Sequence, residues 1–229
     1  MTDLNLADKL LLLALDDDKG TFTAQPFALT YGMAGAILLE LSLQEHIKIV
    51  DKKVVVNTMS RIDDSLLNKY LEVIRNSKKE RSLKYWVQKL GSKQGTIKNE
   101  ILDKLITSGI LVKKEKKVLW VFNNDVFPTV NSKPENSLRN QLYKVIESNK
   151  TAELDELMLI SLIDTCNLNR TVYGKERTKA YKANIKKVIS DAKNSQIINA
   201  TVKEVHDIIV AMLVVVISSS VVATTAATN

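Results

Sequence analysis

A chain of 229 residues with 33 Lys+Arg against 26 Asp+Glu carries a formal net charge of +7, and its length suits one domain of ordinary size. Hydrophobic residues at 45% and charged residues at 26% exclude wholesale disorder, while only 7 Gly and 3 Pro argue against a sandwich or barrel built on many tight turns. A lone Cys166 excludes a disulfide framework and a cysteine zinc site, and two histidines, His46 and His206, leave little material for a metal centre or histidine-driven catalysis; no enzyme activity, metal or cofactor is expected.

In chain order, the opening residues lack the basic start and small-residue cleavage site of a secretory signal. The N-x-S/T tripeptides at Asn149, Asn169 and Asn199 therefore carry no glycosylation argument. Leu6–Leu15 reads as a short apolar helix closed by Asp16 to Gly20, and Phe27–Leu43 as a second, buried helix in which Gly32, Ala34, Gly35 and Ala36 permit close backbone approach. His46–Val50 and Lys53–Asn57 flank Asp51–Lys52 as a hairpin, with His46 a solvated or hydrogen-bonded strand residue. Three amphipathic stripes follow: Leu66, Leu67, Tyr70, Leu71 and Ile74; Leu83, Trp86, Val87 and Leu90; and Ile97, Ile101, Leu102, Leu105 and Ile106, the last ended by Ser108–Gly109. A second hairpin is expected from Ile110–Val112, a charged tip Lys113–Lys117, and Val118–Phe122. Asn123–Glu135, with Pro128 and Pro134, reads as a linker. Helices are expected near Ser137–Ser148, Ala152–Asn167, Gly174–Ala192 and Lys203–Ile217. The uncharged run from Ile208 to the C-terminus has an apolar part of about ten residues, short of the ~20 that a spanning helix needs, so a core helix is expected and a membrane anchor is the alternative. The fold class is mainly α: a single globular helical domain, 1–229, with two β-hairpins and the apolar C-terminal helix in the core.

Few motifs carry chemistry. Gly91 to Thr96 resembles a phosphate loop, but its two glycines, Gly91 and Gly95, are one residue too close and Thr96 stands where the lysine belongs. The start of the following helix, flanked by Lys93 and Lys98, is the one place where backbone N–H groups are expected to receive a phosphate; a plain helix cap explains it equally well. Glu153, Asp155 and Glu156 read as first-turn helix acids, and Cys166 as a small buried side chain. Net charge is −3 over residues 1–60, +11 over 61–200 and −1 thereafter, which points to an anionic partner. Two readings follow. Lys98 through Phe122 fits the helix and wing of a winged-helix nucleic-acid binder. Alternatively, the basic surface meets lipid headgroups, with each cation worth about 1 kcal/mol near the membrane.

The second reading is strengthened by a resemblance. The segments "LADKLLLLALDDDKG", "YGMAGAILLELSLQEHIKI" (Tyr31–Ile49), "EILDKLITSGIL", Phe127–Pro128 and "YKANIKKVISDA" resemble the Golgi phosphoprotein 3 family of phosphoinositide-binding peripheral membrane proteins, of which this chain looks like a divergent, non-eukaryotic member. The resemblance covers nearly the whole chain and implies a mainly α, single-domain fold. It also implies a cytoplasmic protein on an anionic phospholipid membrane, with no nucleic-acid partner. The family's phosphatidylinositol 4-phosphate site, a Trp and three Arg, falls here on Gln25, Ala34, Gly95 and Lys98; only Lys98 keeps the charge. Lys93 and Lys98 are thus the expected headgroup contacts. Lys113, Lys114, Lys116, Lys117 and Trp120 are the expected membrane contacts on the hairpin, which in the family resembles an apolar membrane or subunit contact, so a homo-oligomer through it is a further expectation. The chain is expected to start directly at the domain, so the sorting role of eukaryotic relatives is not expected to carry over.

Overall fold

The computed structural model describes residues 4–16, 19–57, 62–92, 95–118, 122–148, 152–194 and 200–226. Among them the order is α1 (Leu6–Leu13), α2 (Pro26–Leu43), β1 (Ile47–Val50), β2 (Lys53–Val56), α3 (Ser65–Arg75), α4 (Leu83–Gly91), α5 (Thr96–Thr107), β3 (Lys114–Val118), β4 (Phe122–Val126), α6 (Lys133–Ser148), α7 (Leu154–Thr165), α8 (Asn169–Asn194) and α9 (Ala200–Ala226). The architecture is mainly α, one domain with two separate two-stranded antiparallel sheets.

The helix starts follow from their capping residues. Asn5 accepts N–H bonds from Ala7 and Asp8 at 2.9 and 3.0 Å, while the Asp8 carboxylate takes the Asn5 N–H at 3.1 Å, a reciprocal capping box. Asp64 caps α3 and Ser82 caps α4 in the same sense. Glu153 and Glu156 form a second capping box at α7, consistent with the expected first-turn acids.

Helix α2 is the centre of the molecule. It is long and apolar enough to cross a bilayer by length and composition, yet 72% of it is buried within the protein, against α1, α3, α4, α5, α7 and α9. Its glycines permit this crowding: a Cβ on Gly32 would lie 2.6 Å from Cys166 Sγ, and one on Gly35 would lie 2.6 Å from Ile209 Cγ2. The Cys166 thiol is wholly enclosed, and burial pushes its pKa up to about 12. Val202, Val205, Ile209, Met212 and Leu213 of α9 are buried, so the C-terminal helix is a core element over that span. It is tied to α7 by a buried hydrogen bond of 2.6 Å between Ser161 Oγ and His206 Nε2. The stripes expected on α3 and α4 are buried in full.

Three boundaries differ from expectation. Strands β3 and β4 pair Lys114 with Val126, Lys116 with Asn124 and Val118 with Phe122, so Lys114, Lys116 and Lys117 lie on a strand instead of at a tip; residues 119–121 lie outside the described residues. Asn123–Glu135 is not a linker: its first part is β4, Val112 N–H donates to Pro128 O, Val130 N–H donates to Ile110 O, and Phe127 N–H donates to Gly20 O. Its prolines punctuate a hydrogen-bonded crossing, not a domain boundary. The eighth helix begins five residues before Gly174, where φ of 77° and ψ of 165° interrupt it. The first hairpin matches, with both turn residues, Asp51 and Lys52, at positive φ, as a two-residue turn of the primed type requires. His46 is buried and bonded to Gln44 Oε1 at 3.2 Å.

A candidate headgroup cavity

Two helix N-termini converge on one hollow. The segment after α1 crosses to the start of α2, and the loop after α4 brings in the start of α5. Between them lies a cavity of about 270 Å³ lined by Phe22, Ala24, Pro26, Leu29, Thr30, Gly95 and Lys98. Gly95, the N-cap of α5, sits at φ +86°, a left-handed conformation that suits a residue without Cβ. It brings no side chain to cap the first-turn amides of α5. At α2 the N-cap Gln25 makes no side-chain cap bond, and Pro26 follows at the first helical position. Among the described residues neither N-cap residue caps its helix with a side chain, and each helix start directs partial positive charge outwards from its first turn.

Lys98 supplies the full charge. Its ammonium lies 5.0 Å from the Phe22 ring centroid, a cation–π contact that holds it against the cavity wall. Phe22 in turn packs on Phe127 at 6.4 Å between centroids. Thr30 Oγ1 donates to Pro26 O at 2.8 Å, which leaves its lone pairs, not its proton, for the cavity. The rest of the lining, Phe22, Ala24, Pro26 and Leu29, is apolar. Chemically this is an amphiphilic site with one cation beside two helix starts and a greasy wall.

The expected residues divide accordingly. Gly95 and Lys98 meet in the cavity, and Gln25 is exposed between Ala24 and Pro26, which line it. Ala34 does not belong: it is fully buried, more than two turns into α2, and part of the core. Lys93 and Trp120 lie outside the described residues. Lys113 and Lys114 are exposed; Lys113 pairs with Asp125 at 2.8 Å, and that hydrogen bond and charge raise its pKa. Lys116 and Lys117 are on β3, their side chains outside what the structure describes. The apolar wall of Phe22, Ala24, Pro26 and Leu29 was not foreseen from sequence, although the uncharged segment Thr21–Phe27, with the helix-starting Pro26, was there to be read.

Other polar groupings are occupied internally. On α5, Glu100 is held by Lys69 and by Tyr70 Oη at 3.0 Å. Its neighbour Lys104 bridges Asp8 and Asp64. This consumes much of the polar face that a nucleic-acid recognition helix would present. Ser161, His206 and Asp207 line up in the order of a charge relay, but Ser161 is mid-helix and 3% exposed, with no opening to the cavity. A second cleft, lined by Leu15, Asp16, Thr23, Arg139, Asn167, Arg170 and Thr171, is polar, and there Arg139 donates to Glu135 and to the Thr171 and Val172 carbonyls.

Compared with known families, the chain is matched by the family model described as Golgi phosphoprotein 3 (GPP34) over residues 6–209. The span runs from the first residue of α1 into α9 and takes in the cavity and both hairpins.

Proposed function

From the premise that this chain belongs to the Golgi phosphoprotein 3 family, we propose that it is a non-enzymatic, cytoplasmic, peripheral membrane protein that seats an anionic phospholipid headgroup in the cavity at Lys98. The observation that carries this reading is the Lys98 ammonium stacked on Phe22 beside two helix starts whose N-cap residues give no side-chain cap. A phosphate there accepts from the ammonium and from first-turn amides, the chemistry that helix N-termini offer anions. The β3 lysines add a longer-range attraction to the anionic surface, and a homo-oligomer contact through the second hairpin is part of the same proposal.

The side chains at the cavity favour an ordinary anionic phospholipid over a phosphoinositide. Lys98 is the one ionised side chain among the described lining residues, enough for the single negative charge of a phosphodiester. The additional monoester of phosphatidylinositol 4-phosphate carries about −1.5 to −2, and the arginine forks that would hold it fall here on Gly95 and a core alanine.

Vesicle co-sedimentation tests the reading with neutral vesicles, generic anionic vesicles and phosphatidylinositol 4-phosphate vesicles at matched surface charge, with duplex DNA as competitor. Binding to both anionic kinds alike is expected, reduced about tenfold in Lys98→Gln and reduced, with a shallower salt dependence, when Lys113, Lys114, Lys116 and Lys117 become Gln. A clear phosphoinositide preference at matched charge would overturn this choice of headgroup while keeping the site. Failure to bind any vesicle, with tight DNA binding, would put the winged-helix reading first.

A further inference from the structure

We propose that the uncharged lip Thr21–Phe27 is the face that docks on the bilayer, with Phe27 the side chain that enters the leaflet; this rests on the headgroup reading above and adds the orientation and the apolar anchor. Phe27 is 46% exposed and is the one aromatic among the exposed large hydrophobics of the described residues. The contrast with its own helix is sharp, because the next three residues of α2, Ala28, Leu29 and Thr30, are already buried. A lone exposed hydrophobe needs no explanation. Here it stands at the end of a segment in which Thr21, Thr23, Gln25 and Pro26 are also exposed and none of the seven residues is charged.

The segment separates two hollows with opposite character. Phe22 and Ala24 line the cavity of Lys98, whereas Thr23 lines the cleft that holds Asp16, Arg139 and Arg170. Asp16, the described acid nearest in sequence, therefore lies on the side away from the cavity, where its carboxylate takes the Lys19 N–H at 2.9 Å. On the cavity side the lip offers an apolar edge, hydroxyl and amide groups, and the Lys98 cation behind it. That is the composition of a surface that sits at the boundary of headgroups and acyl chains: apolar side chains enter, uncharged polar ones are left at headgroup depth, and the cation meets phosphate. An acidic protein partner would leave the apolar lip without a match, and an apolar protein partner would leave Lys98 without one. A lipid leaflet matches both, since a headgroup in the cavity places its glycerol against the Pro26 and Ala24 wall and its acyl chains beside Phe27.

The test uses the full chain with phosphatidylcholine/phosphatidylglycerol vesicles. Phe27→Ser is expected to weaken binding on the order of tenfold, the loss one half-exposed aromatic ring gives on burial, and the loss is to persist at high salt. Phe27→Leu is to bind within about twofold of the native chain. In Phe27→Trp the introduced indole is to shift to the blue on vesicle addition and to be quenched by brominated acyl chains, relative to the native chain with Trp86 and Trp120. Native-like affinity of Phe27→Ser together with an unquenched indole, while Lys98→Gln still weakens binding, would overturn the docking face and leave the headgroup reading standing. If the native chain binds no anionic vesicle, both fall.

Discussion

At Gly35 the lack of a side chain is what lets α9 reach α2, because an added Cβ would lie 2.6 Å from Ile209 Cγ2. Two effects oppose each other on Gly35→Ala. Alanine is the better helix former by about 0.8–1.0 kcal/mol, but overpacking a fixed core contact costs about 1–3 kcal/mol. The branched Ile209, fully buried, has little room to yield, so the overpacking cost wins. A net loss of about 1 kcal/mol is expected, read as a lower urea midpoint at unchanged slope. The variant melting at or above the native midpoint would mean that the two helices are free to move apart. The same reasoning singles out Gly32 against Cys166, and explains why the cysteine is small, buried and unreactive.

Among the elements, the helix ends hold the site and the helix interiors do not, which decides what can be grafted. Restoring the family's residues would place Trp at Gln25 and Arg at Ala34. Gln25 is an exposed N-cap beside the cavity, so Gln25→Trp should fold as the native chain does. Ala34 is 0% exposed, and Ala34→Arg would force a charge among Leu and Ile side chains with no partner. A cost above about 3 kcal/mol is expected, visible as a collapsed thermal transition or insoluble protein. An Ala34→Arg chain as stable as the native one would show that the middle of α2 can turn outwards. These elements also show what the sequence made legible. The stripes of α3 and α4 are buried in full, because a 3.6-residue period reports a buried face directly. The second hairpin slipped because a run of charge reads as a solvated tip, whereas its register is set by pairing Val118 with Phe122. The Asn123–Glu135 segment misled through its prolines, since backbone bonds to Gly20, Ile110 and Val112 leave no local signature. Gly95 and Lys98 were reached twice, from the phosphate-like glycine loop before α5 and by resemblance. The apolar wall opposite them comes from residues some seventy positions earlier and becomes a wall only once α2 and α5 are packed.

For the whole molecule, the buried ion network gives stability an uncommon dependence on pH. Lys104 on α5 bridges Asp8 on α1, whose side chain is fully enclosed, and Asp64 at the start of α3, the latter at 2.6 Å. Burial pushes the Asp8 carboxyl from 3.8 to about 6 despite the opposing hydrogen bond and charge of Lys104. Its Oδ1 has no hydrogen-bond partner among the described residues. Burial acts on Asp64 in the same direction, but hydrogen bonds from Lys104, the Leu67 N–H and Asn5, with the Lys104 charge, outweigh it and lower its pKa. The two carboxylates therefore bend the stability curve in opposite senses. Between 3.8 and about 6 the native Asp8 holds a proton that the unfolded chain has released, so stability falls as pH rises across that window, by about 2–3 kcal/mol in all. Asp64 contributes stability that is present above its unfolded pKa and lost as pH falls through its lower native value, so a maximum on the acid side of neutrality results. Asp8→Asn removes the first slope and retains an acceptor for the Asn5 N–H. Its denaturation free energy should no longer decline from pH 4.5 to 7, where the lowered pKa of buried His46 acts in the opposite sense, while the native chain's declines. A native chain equally stable at both ends of that range would mean that the Lys104 charge fully compensates Asp8 burial. The bridge would then be a neutral strut between α1, α3 and α5 without any pH-dependent cost.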